Sequence, residues 1–268
     1  MSQKIGVALS GSGFLGILHI GALCALEDSG FEIAEIAGTS GGAIVAALYA
    51  CDYRGKDLKK LFQSTDLRPF LEYSPFSAIW HHRDGLCDGE ALLTWLQDQC
   101  GDLTFSDLEI PLTIMATNLT LGNAFEFSPQ TTPGVPVSLA ARASSAIPIV
   151  YTSVSYAGSE LQDGGMVCNI PTDKLSSQNR GIGLEITYAP KTLPPDAGWI
   201  AKGEQAISLM LSANEGARVA WAEQVGVEVI GLSASGFSPL DRDLSDSQKN
   251  ALFETGYSAV LKSFRKGR

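Results

Sequence analysis

Residues 33–48 read IAEIAGTSGGAIVAAL. The apolar run 33–37 is typical of a short buried strand, and the apolar residues 43–48 favour a helix. Between them, the segment Gly38-Thr39-Ser40-Gly41-Gly42 predicts a sharp turn with a serine at its apex. Glycines on both sides of a serine let the backbone take the strained turn that lifts a hydroxyl out of the fold. We therefore predict a strand, a turn and a helix, with Ser40 as a candidate nucleophile.

The alternation of strands and helices continues on both sides of this turn. Residues 4–9 predict a buried strand, residues 10–13 a glycine loop, and residues 14–28 an apolar helix. Further strands are expected at 112–117, 124–127, 183–187 and 228–231, and further helices at 56–63, 89–100, 136–144, 200–225 and 246–264. Such alternation implies βαβ units and a mainly parallel sheet. Without an internal repeat or a low-complexity linker, residues 1–268 are predicted to form a single α/β domain.

The composition narrows the class of protein and of partner. A formal net charge of −10 disfavours attraction to nucleic acid or to an anionic membrane, but it does not exclude a neutral lipid or ester substrate. The five cysteines are widely spaced and include no Cys-x-x-Cys pair, so neither a disulfide framework nor a zinc site is expected. Because no signal-peptide pattern and no run of about 18 apolar residues is present, a cytoplasmic location is predicted, with leaderless secretion left open.

The glycine loop supports two interpretations. The segment Gly11-Ser12-Gly13-Phe14-Leu15-Gly16 satisfies G-x-G-x-x-G between a predicted strand and helix, which is the context of a dinucleotide-binding fingerprint. That fingerprint needs an acidic residue at the end of the second strand, whereas Glu32 and Glu35 lie within or before it. Alternatively, the backbone N–H groups of Gly11, Ser12 and Gly13 could lie beside Ser40. Together with the N–H of Gly41 they would then form an oxyanion hole. We favour the oxyanion hole and keep a nucleotide-binding oxidoreductase or sensor as the alternative.

A serine nucleophile needs a general base within hydrogen-bond reach. His19 lies in the predicted apolar helix, where a packed histidine is the expected role, and His81 and His82 lie in an aromatic loop. Asp163 follows a short strand pattern and begins the turn Asp163-Gly164-Gly165, although an aspartate before glycine commonly just forms a turn. An aspartate of ordinary pKa, about 3.9, is also a weak base unless burial raises it. Chemistry alone therefore leaves the partner of Ser40 unidentified.

Three segments lie outside the regular alternation. Residues 66–86 are rich in aromatic residues and prolines, which is typical either of a lid or binding loop or of a loop that packs onto the core. Residues 189–198 are predicted to be a proline-rich connection. Residues 262–268 carry four basic residues, which would complement the C-terminal end of a helix or touch anionic headgroups; we favour the former.

Five blocks in order resemble the patatin-like phospholipases, a family of lipid acyl hydrolases that use a Ser-Asp dyad. They cover about residues 4–171. The blocks are the glycine loop and helix start at 9–21, the serine turn at 38–42, the strand pair at 116–119 and 125–128, the segment 141–148, and the aspartate turn Asp163-Gly164-Gly165 with Asn169-Ile170-Pro171. Any one block is only suggestive, but five in order at plausible spacing are a specific signal.

The resemblance implies a three-layer α/β/α sandwich and a serine acyl hydrolase of the phospholipase, lipase or esterase type. Its implied site consists of Ser40 as nucleophile and Asp163 as base, with no histidine, metal or organic cofactor. The expected partner is a lipid or ester substrate, with transient contact with a membrane surface left open and nucleic acid excluded. An acyltransferase built on the same serine turn is a second alternative.

Two positions depart from the family pattern. Ser12 stands where the family has a third glycine, which requires that Ser12 keep an ordinary φ angle. Leu15 stands where the family commonly has arginine or lysine, a residue that would anchor a phosphate. The departure at Leu15 favours simple esters or neutral lipids over phospholipid headgroups.

Overall fold

The computed structural model describes residues 2–72, 84–188, 192–198, 201–203, 205–206, 209 and 215–266. The strands in these ranges are β1 Gln3–Leu9, β2 Phe31–Thr39, β3 Gly85–Cys87, β4 Leu112–Asn118, β5 Asn123–Phe127, β6 Ile149–Tyr151, β7 Val154–Tyr156, β8 Ser159–Asp163, β9 Arg180–Thr187 and β10 Glu228–Ser233. The helices are α1 Ile17–Asp28, α2 Gly41–Ala50, α3 Gly55–Ser64, α4 Glu90–Cys100, α5 Val137–Ser144, α6 Glu215–Gln224 and α7 Asp246–Lys266. No helix in the described ranges is both long and apolar enough to cross a membrane.

Eight strands form one sheet in the order β10-β9-β1-β2-β4-β8-β7, and β5 pairs with β4. The five strands from β10 to β4 are parallel, as the alternation of strands and helices predicted. Strands β5, β8 and β7 join by antiparallel pairing, so the sheet is mixed at this end. The α/β class is confirmed, with this antiparallel extension added to the parallel core.

The burial of strand β1 shows that both faces of the sheet are covered. All residues from Ile5 to Leu9 are buried, although successive side chains of a strand point to opposite faces. Ile5, Val7 and Leu9 present large side chains to one face, while Gly6 and Ala8 leave the other face almost flat. A parallel strand buried on both sides requires a layer of packed structure on each face. The burial pattern thus fits the expected three-layer α/β/α sandwich.

Helices α1 and α7 pack in very close contact through two glycines. A Cβ on Gly21 would lie 2.1 Å from the carbonyl oxygen of Phe253, and a Cβ on Gly256 would lie 2.0 Å from that of Leu18. Each glycine therefore lets the backbone of the opposite helix approach without a side chain between them. This contact attaches the C-terminal helix to the helix that follows the glycine loop.

The structure differs from the sequence predictions mainly in short elements. The three-residue strands β3, β6 and β7 were not predicted, because so few residues carry no clear periodicity. Helix α1 begins at Ile17 rather than Phe14, because the preceding residues form the glycine loop. Of the helix predicted at 200–225, residues 201–203, 205–206, 209 and 215–224 are helical, and residues 200, 204, 207–208 and 210–214 lie outside the described residues.

The predicted aromatic loop at 66–86 is described only at its two ends. Residues 73–83, which include His81 and His82, lie outside the described residues. At the first end, Arg68–Leu71 forms a short 3-10 helix in which Phe70 and Leu71 are buried. This part of the loop packs onto the core, and the prediction of a lid remains a prediction.

Candidate active site

Ser40 lies at a strained turn between β2 and α2. Its backbone has φ 54° and ψ −128°, a conformation that L residues rarely adopt, and its side chain is buried. The predicted glycines at this turn are required by close backbone approach: a Cβ on Gly38 would lie 2.6 Å from the carbonyl oxygen of Gly42, and one on Gly42 would lie 2.3 Å from that of Ser10. The sharp, strained turn predicted from the sequence is therefore present, with Ser40 at its apex.

The N–H of Ser40 is held by a side chain from α5. It donates to Oγ of Ser144 at 2.9 Å, and the same hydroxyl donates to the carbonyl oxygen of Met115 at 2.6 Å. A buried N–H without an acceptor would destabilise this strained turn. Ser144 therefore connects the turn to strand β4. The sequence analysis placed Ser144 in a family-like block but did not identify this contact.

Asp163 is the hydrogen-bond partner of Ser40. The hydroxyl of Ser40 donates to Oδ2 of Asp163 at 2.6 Å, and the N–H of Gly165 donates to Oδ1 at 2.8 Å. The backbone of Asp163 is held as well, because Oγ1 of Thr117 donates to its carbonyl oxygen at 2.7 Å. Gly164 has no room for a side chain, since its Cβ would lie 2.1 Å from the carbonyl oxygen of Met115. Gly164 thus lies at a close backbone contact, and Gly165 holds the Asp163 carboxylate through its N–H.

The sheet topology explains how residues so distant in sequence meet. Strand β5 occupies one edge of β4, and β2 and β8 share the other edge. Strand β2 runs parallel to β4 and pairs Thr39 with Met115, whereas β8 runs antiparallel and pairs Asp163 with Ala116. The two strands therefore point towards each other and end at neighbouring positions of β4. Ser40 follows directly from the end of β2, beside the end of β8.

Burial makes the Asp163 carboxylate a stronger base. Removal from water raises the pKa of Asp163 to about 6, against the hydrogen bonds from Ser40 and Gly165 that lower it. The carboxylate remains ionised at neutral pH, and its pKa is closer to the working pH of a general base than that of an exposed aspartate. The weak basicity of an ordinary aspartate, which the sequence analysis raised against Asp163, therefore does not apply at this buried position.

The glycine loop offers a smaller set of N–H donors than expected. Gly11 donates its N–H to the carbonyl oxygen of Asn169 at 3.0 Å, so we remove Gly11 from the candidate oxyanion donors. Gly11 instead packs against Ser40, since its Cβ would lie 3.5 Å from Cβ of Ser40. In the described part of the chain, the N–H groups of Ser12, Gly13 and Gly41 have no protein acceptor. These three remain the candidate donors.

The loop is placed against the start of α2. A Cβ on Gly41 would lie 2.2 Å from both Oγ of Ser12 and the carbonyl oxygen of Gly13. Gly13 has φ +53°, whereas Ser12 is not among the described residues with positive φ, so its side chain is tolerated as the sequence analysis required. The C-terminal part of the chain supports the loop too, because Phe14 donates its N–H to the carbonyl oxygen of Pro239 at 2.8 Å.

His19, considered as a base, and the carboxylates of Glu32 and Glu35, considered for ribose binding, all make contacts away from Ser40. Nε2 of His19 lies 2.9 Å from the carbonyl oxygen of Ser10, and burial lowers the pKa of His19 to about 4, so this histidine is a packed core residue. Glu32 accepts a hydrogen bond from Ser2, and Glu35 accepts one from Asn179. Neither carboxylate lies at the end of β2, where a dinucleotide ribose would need it.

A largely apolar pocket opens beside Ser40. Gly13, Ser40 and Gly41 line it, and Ile44, Phe62 and Trp95 are among its apolar lining residues. Leu15, which stands where the family commonly has an arginine or lysine, is fully buried in the core and does not line the pocket. The pocket is therefore suited to an uncharged, apolar group attached to a carbonyl at Ser40.

The fold resembles that of a solved bacterial protein. The crystal structure of VipD from Legionella pneumophila matches with a TM-score of 0.66 and 17% sequence identity, over 99% of this chain and 67% of that one. At this identity the likeness supports the fold and nothing about the chemistry of the site.

Two groups of proteins are similar to this chain in sequence. The chain is 32% identical over 200 residues to an uncharacterized NTE family protein of Mycobacterium tuberculosis, a match that covers 74% of this chain and 51% of that protein. It is also 29% identical over 213 residues to the lysophospholipase NTE1 of Yarrowia lipolytica, which covers 73% of this chain and 14% of that protein. The chain thus spans about half the length of its mycobacterial relative.

The sequence model described as patatin-like phospholipase matches residues 7–176. This range includes the glycine loop, the Ser40 turn and the Asp163 turn, and it covers more than half of the chain. The protein belongs to the patatin-like phospholipase family.

Proposed function

We propose that this protein is a serine acyl hydrolase that cleaves carboxylic esters of lipids, with Ser40 as nucleophile and Asp163 as general base. The proposal rests above all on one observation: a strained, buried serine donates a 2.6 Å hydrogen bond to a buried carboxylate. A nucleophile held against its base in this way is the general signature of covalent catalysis. Family membership and the yeast lysophospholipase relative support an ester of a lipid as substrate.

The reaction follows from the contacts of these two side chains. Oδ2 of Asp163 takes the proton of Ser40 as Oγ bonds to the ester carbonyl carbon, and the carbonyl oxygen becomes an oxyanion. The N–H groups of Ser12, Gly13 and Gly41 are the groups that would stabilise this charge. The C–O bond then breaks, and the alcohol leaves with the proton from Asp163. Asp163 next takes a proton from water as the water oxygen bonds to the acyl carbon. The bond from that carbon to Oγ then breaks, the acid leaves, and Asp163 returns the proton to Oγ of Ser40.

Substrate preference and acceptor are also part of the proposal. Because Leu15 is buried where an arginine or lysine would anchor a phosphate, we propose that neutral esters are preferred over phospholipids. We propose hydrolysis rather than acyl transfer, because the family and the yeast relative are both named as phospholipases. Access to lipid substrates would involve transient contact with a lipid surface.

The test is hydrolysis of p-nitrophenyl butanoate by the wild type, Ser40→Ala and Asp163→Asn, together with labelling by a fluorophosphonate followed by intact mass and peptide mapping. We expect kcat/KM to fall by about 10³-fold or more in both variants. A single adduct should map to Ser40 in the wild type and disappear in Ser40→Ala. Ser258→Ala, which removes a hydroxyl from the surface of α7, is the matched control and should behave as the wild type.

Two outcomes contradict the proposal. One is a Ser40→Ala variant that retains activity within tenfold of the wild type. The other is an adduct that maps to a different residue in the folded wild-type protein.

A further inference from the structure

The apolar pocket beside Ser40 is lined by three aromatic side chains, Phe62, Phe70 and Trp95, which we call the aromatic wall. The ring of Trp95 contacts both of the others, with centroid distances of 6.2 Å to Phe62 and 5.4 Å to Phe70. Phe62 and Phe70 are buried, and Trp95 is partly buried and packed against the core. The wall is therefore a continuous surface formed by α3, the 3-10 helix that follows it, and α4.

The backbone behind the wall is held by hydrogen bonds from distant parts of the chain. The carbonyl oxygen of Phe62 accepts from Nζ of Lys249 on α7 at 3.0 Å. The carbonyl oxygen of Phe70 accepts from the hydroxyl of Tyr151 at 2.8 Å. Both donors are themselves buried, so these contacts are shielded from water. A substrate chain that meets the wall cannot easily displace it.

The space between Ser40 and the wall is small. The pocket, which is open on one side, offers about 40 Å³ of free volume. On this scale one water molecule needs about 10–15 Å³, so the space takes roughly three non-hydrogen atoms beyond a carbonyl carbon bonded to Ser40. This matches the length of a butanoyl group and is much shorter than the acyl chain of a membrane lipid.

We propose that the aromatic wall sets the length of the acyl chain, so that among lipid esters this protein acts on those with short acyl chains, and Trp95 is the residue that limits longer ones. The inference rests on the proposed hydrolase function and specifies its substrate class. Each methylene beyond the available space forces side chains apart, and one methylene in an apolar pocket changes kcat/KM by about tenfold or more. Activity therefore falls steeply once the chain reaches Trp95.

The test compares p-nitrophenyl butanoate, hexanoate, octanoate and decanoate, each below its critical micelle concentration, with the wild type and Trp95→Ala. The wild type should prefer butanoate, and its kcat/KM should fall by about tenfold or more for each longer ester in the series. Trp95→Ala should raise the octanoate-to-butanoate ratio of kcat/KM by at least about tenfold. Trp221→Ala is the matched control, because Trp221 is 43% exposed on α6 and does not line the pocket.

A binding measurement separates this inference from the proposed function. Bromoalkanoic acids quench tryptophan fluorescence on contact, so their quenching of Ser40→Ala, with and without Trp95→Ala, reports occupancy of the pocket without catalysis. One outcome would overturn the proposed hydrolase function but support a short acyl-binding pocket. In that outcome bromobutanoic acid binds tightly to Ser40→Ala, the quenching disappears in the double variant, and the wild type hydrolyses no ester. A wild type that prefers decanoate, or an octanoate-to-butanoate ratio unchanged in Trp95→Ala, would overturn the inference.

Discussion

Asp163 combines a negative charge with complete burial, and this combination determines how activity depends on pH. Burial raises its pKa to about 6, so the carboxylate is ionised above that pH and protonated below it. Only the ionised form accepts the proton of Ser40. We expect kcat/KM to be constant above about pH 7 and to fall about tenfold per pH unit below pH 6. A pH profile with p-nitrophenyl butanoate measures this, with far-UV circular dichroism at each pH to show that the protein stays folded; constant activity down to pH 4.5 contradicts it.

The same charge should destabilise the native state at neutral pH. Because the folded pKa of Asp163 is raised, its contribution favours folding fully below about pH 4, the unfolded pKa, and is lost as the pH rises through 6. In Asp163→Asn the amide keeps both hydrogen bonds, Oδ1 accepting from Gly165 and Nδ2 donating to Ser40, without the buried charge. We expect an inactive variant whose free energy of unfolding at pH 8 exceeds that of the wild type by up to about 3 kcal/mol.

Thermal unfolding at two pH values distinguishes this effect from a general change in packing. The Tm advantage of Asp163→Asn should be several degrees at pH 8 and should vanish near pH 4, where the wild-type carboxyl is also protonated. An advantage of equal size at both pH values would contradict the electrostatic explanation.

At the scale of elements, α5 holds the Ser40 turn through a single hydroxyl, that of Ser144. Ser144→Ala leaves the buried N–H of Ser40 without an acceptor and frees the turn to shift. Since a displacement of about 1 Å at a reacting atom can lower the rate a hundredfold, we expect kcat to fall by about tenfold to a hundredfold while KM stays nearly constant. Steady-state kinetics of Ser144→Ala and Ser144→Thr test this, because threonine keeps the hydroxyl and should restore most of kcat.

Ser138→Ala is the matched control for this experiment. Ser138 is buried on the same helix and makes no hydrogen bond to the turn in the described structure. An equal loss of kcat in Ser138→Ala, or a Ser144→Ala variant with wild-type kcat, would show that Ser144 does not position the nucleophile.

At the scale of the whole molecule, the C-terminal part of the chain supports a site that lies in the N-terminal part. Helix α7 and Pro239 lie beyond residues 7–176, yet α7 packs on α1 through Gly256, and Pro239 accepts the N–H of Phe14. A side chain on Gly256 would collide with the carbonyl of Leu18. We expect Gly256→Ala to destabilise the protein by about 1–3 kcal/mol and to lower Tm by roughly 3–10 °C.

Gly216→Ala provides the matched control for the collision at Gly256. Both substitutions add one methyl group to a helix, but a Cβ on Gly216 meets no atom within 4 Å. Gly216→Ala should therefore be neutral or stabilising by about 0.5–1 kcal/mol. Equal Tm values for the two variants would mean that α1 and α7 separate readily and that their close contact contributes little.

Local sequence determined which elements form and where the chemistry is concentrated. The apolar periods and glycine turns predicted the parallel strands, the helices after them and the Ser40 turn, because these signals act over a few residues. The pairing of Ser40 with Asp163 did not follow from the residues themselves and came from the family resemblance. Their catalytic roles remain predictions.

Only the tertiary structure decided how these parts meet, since strand pairing and packing join residues far apart in sequence. It placed β2 and β8 end to end along one edge of β4, which brings Ser40 to Asp163. It also used the N–H of Gly11 for a bond to Asn169, and it placed Trp95 from α4 in the lining of the pocket. No local pattern encodes such contacts, because each depends on which surfaces are buried against each other once the whole chain has folded.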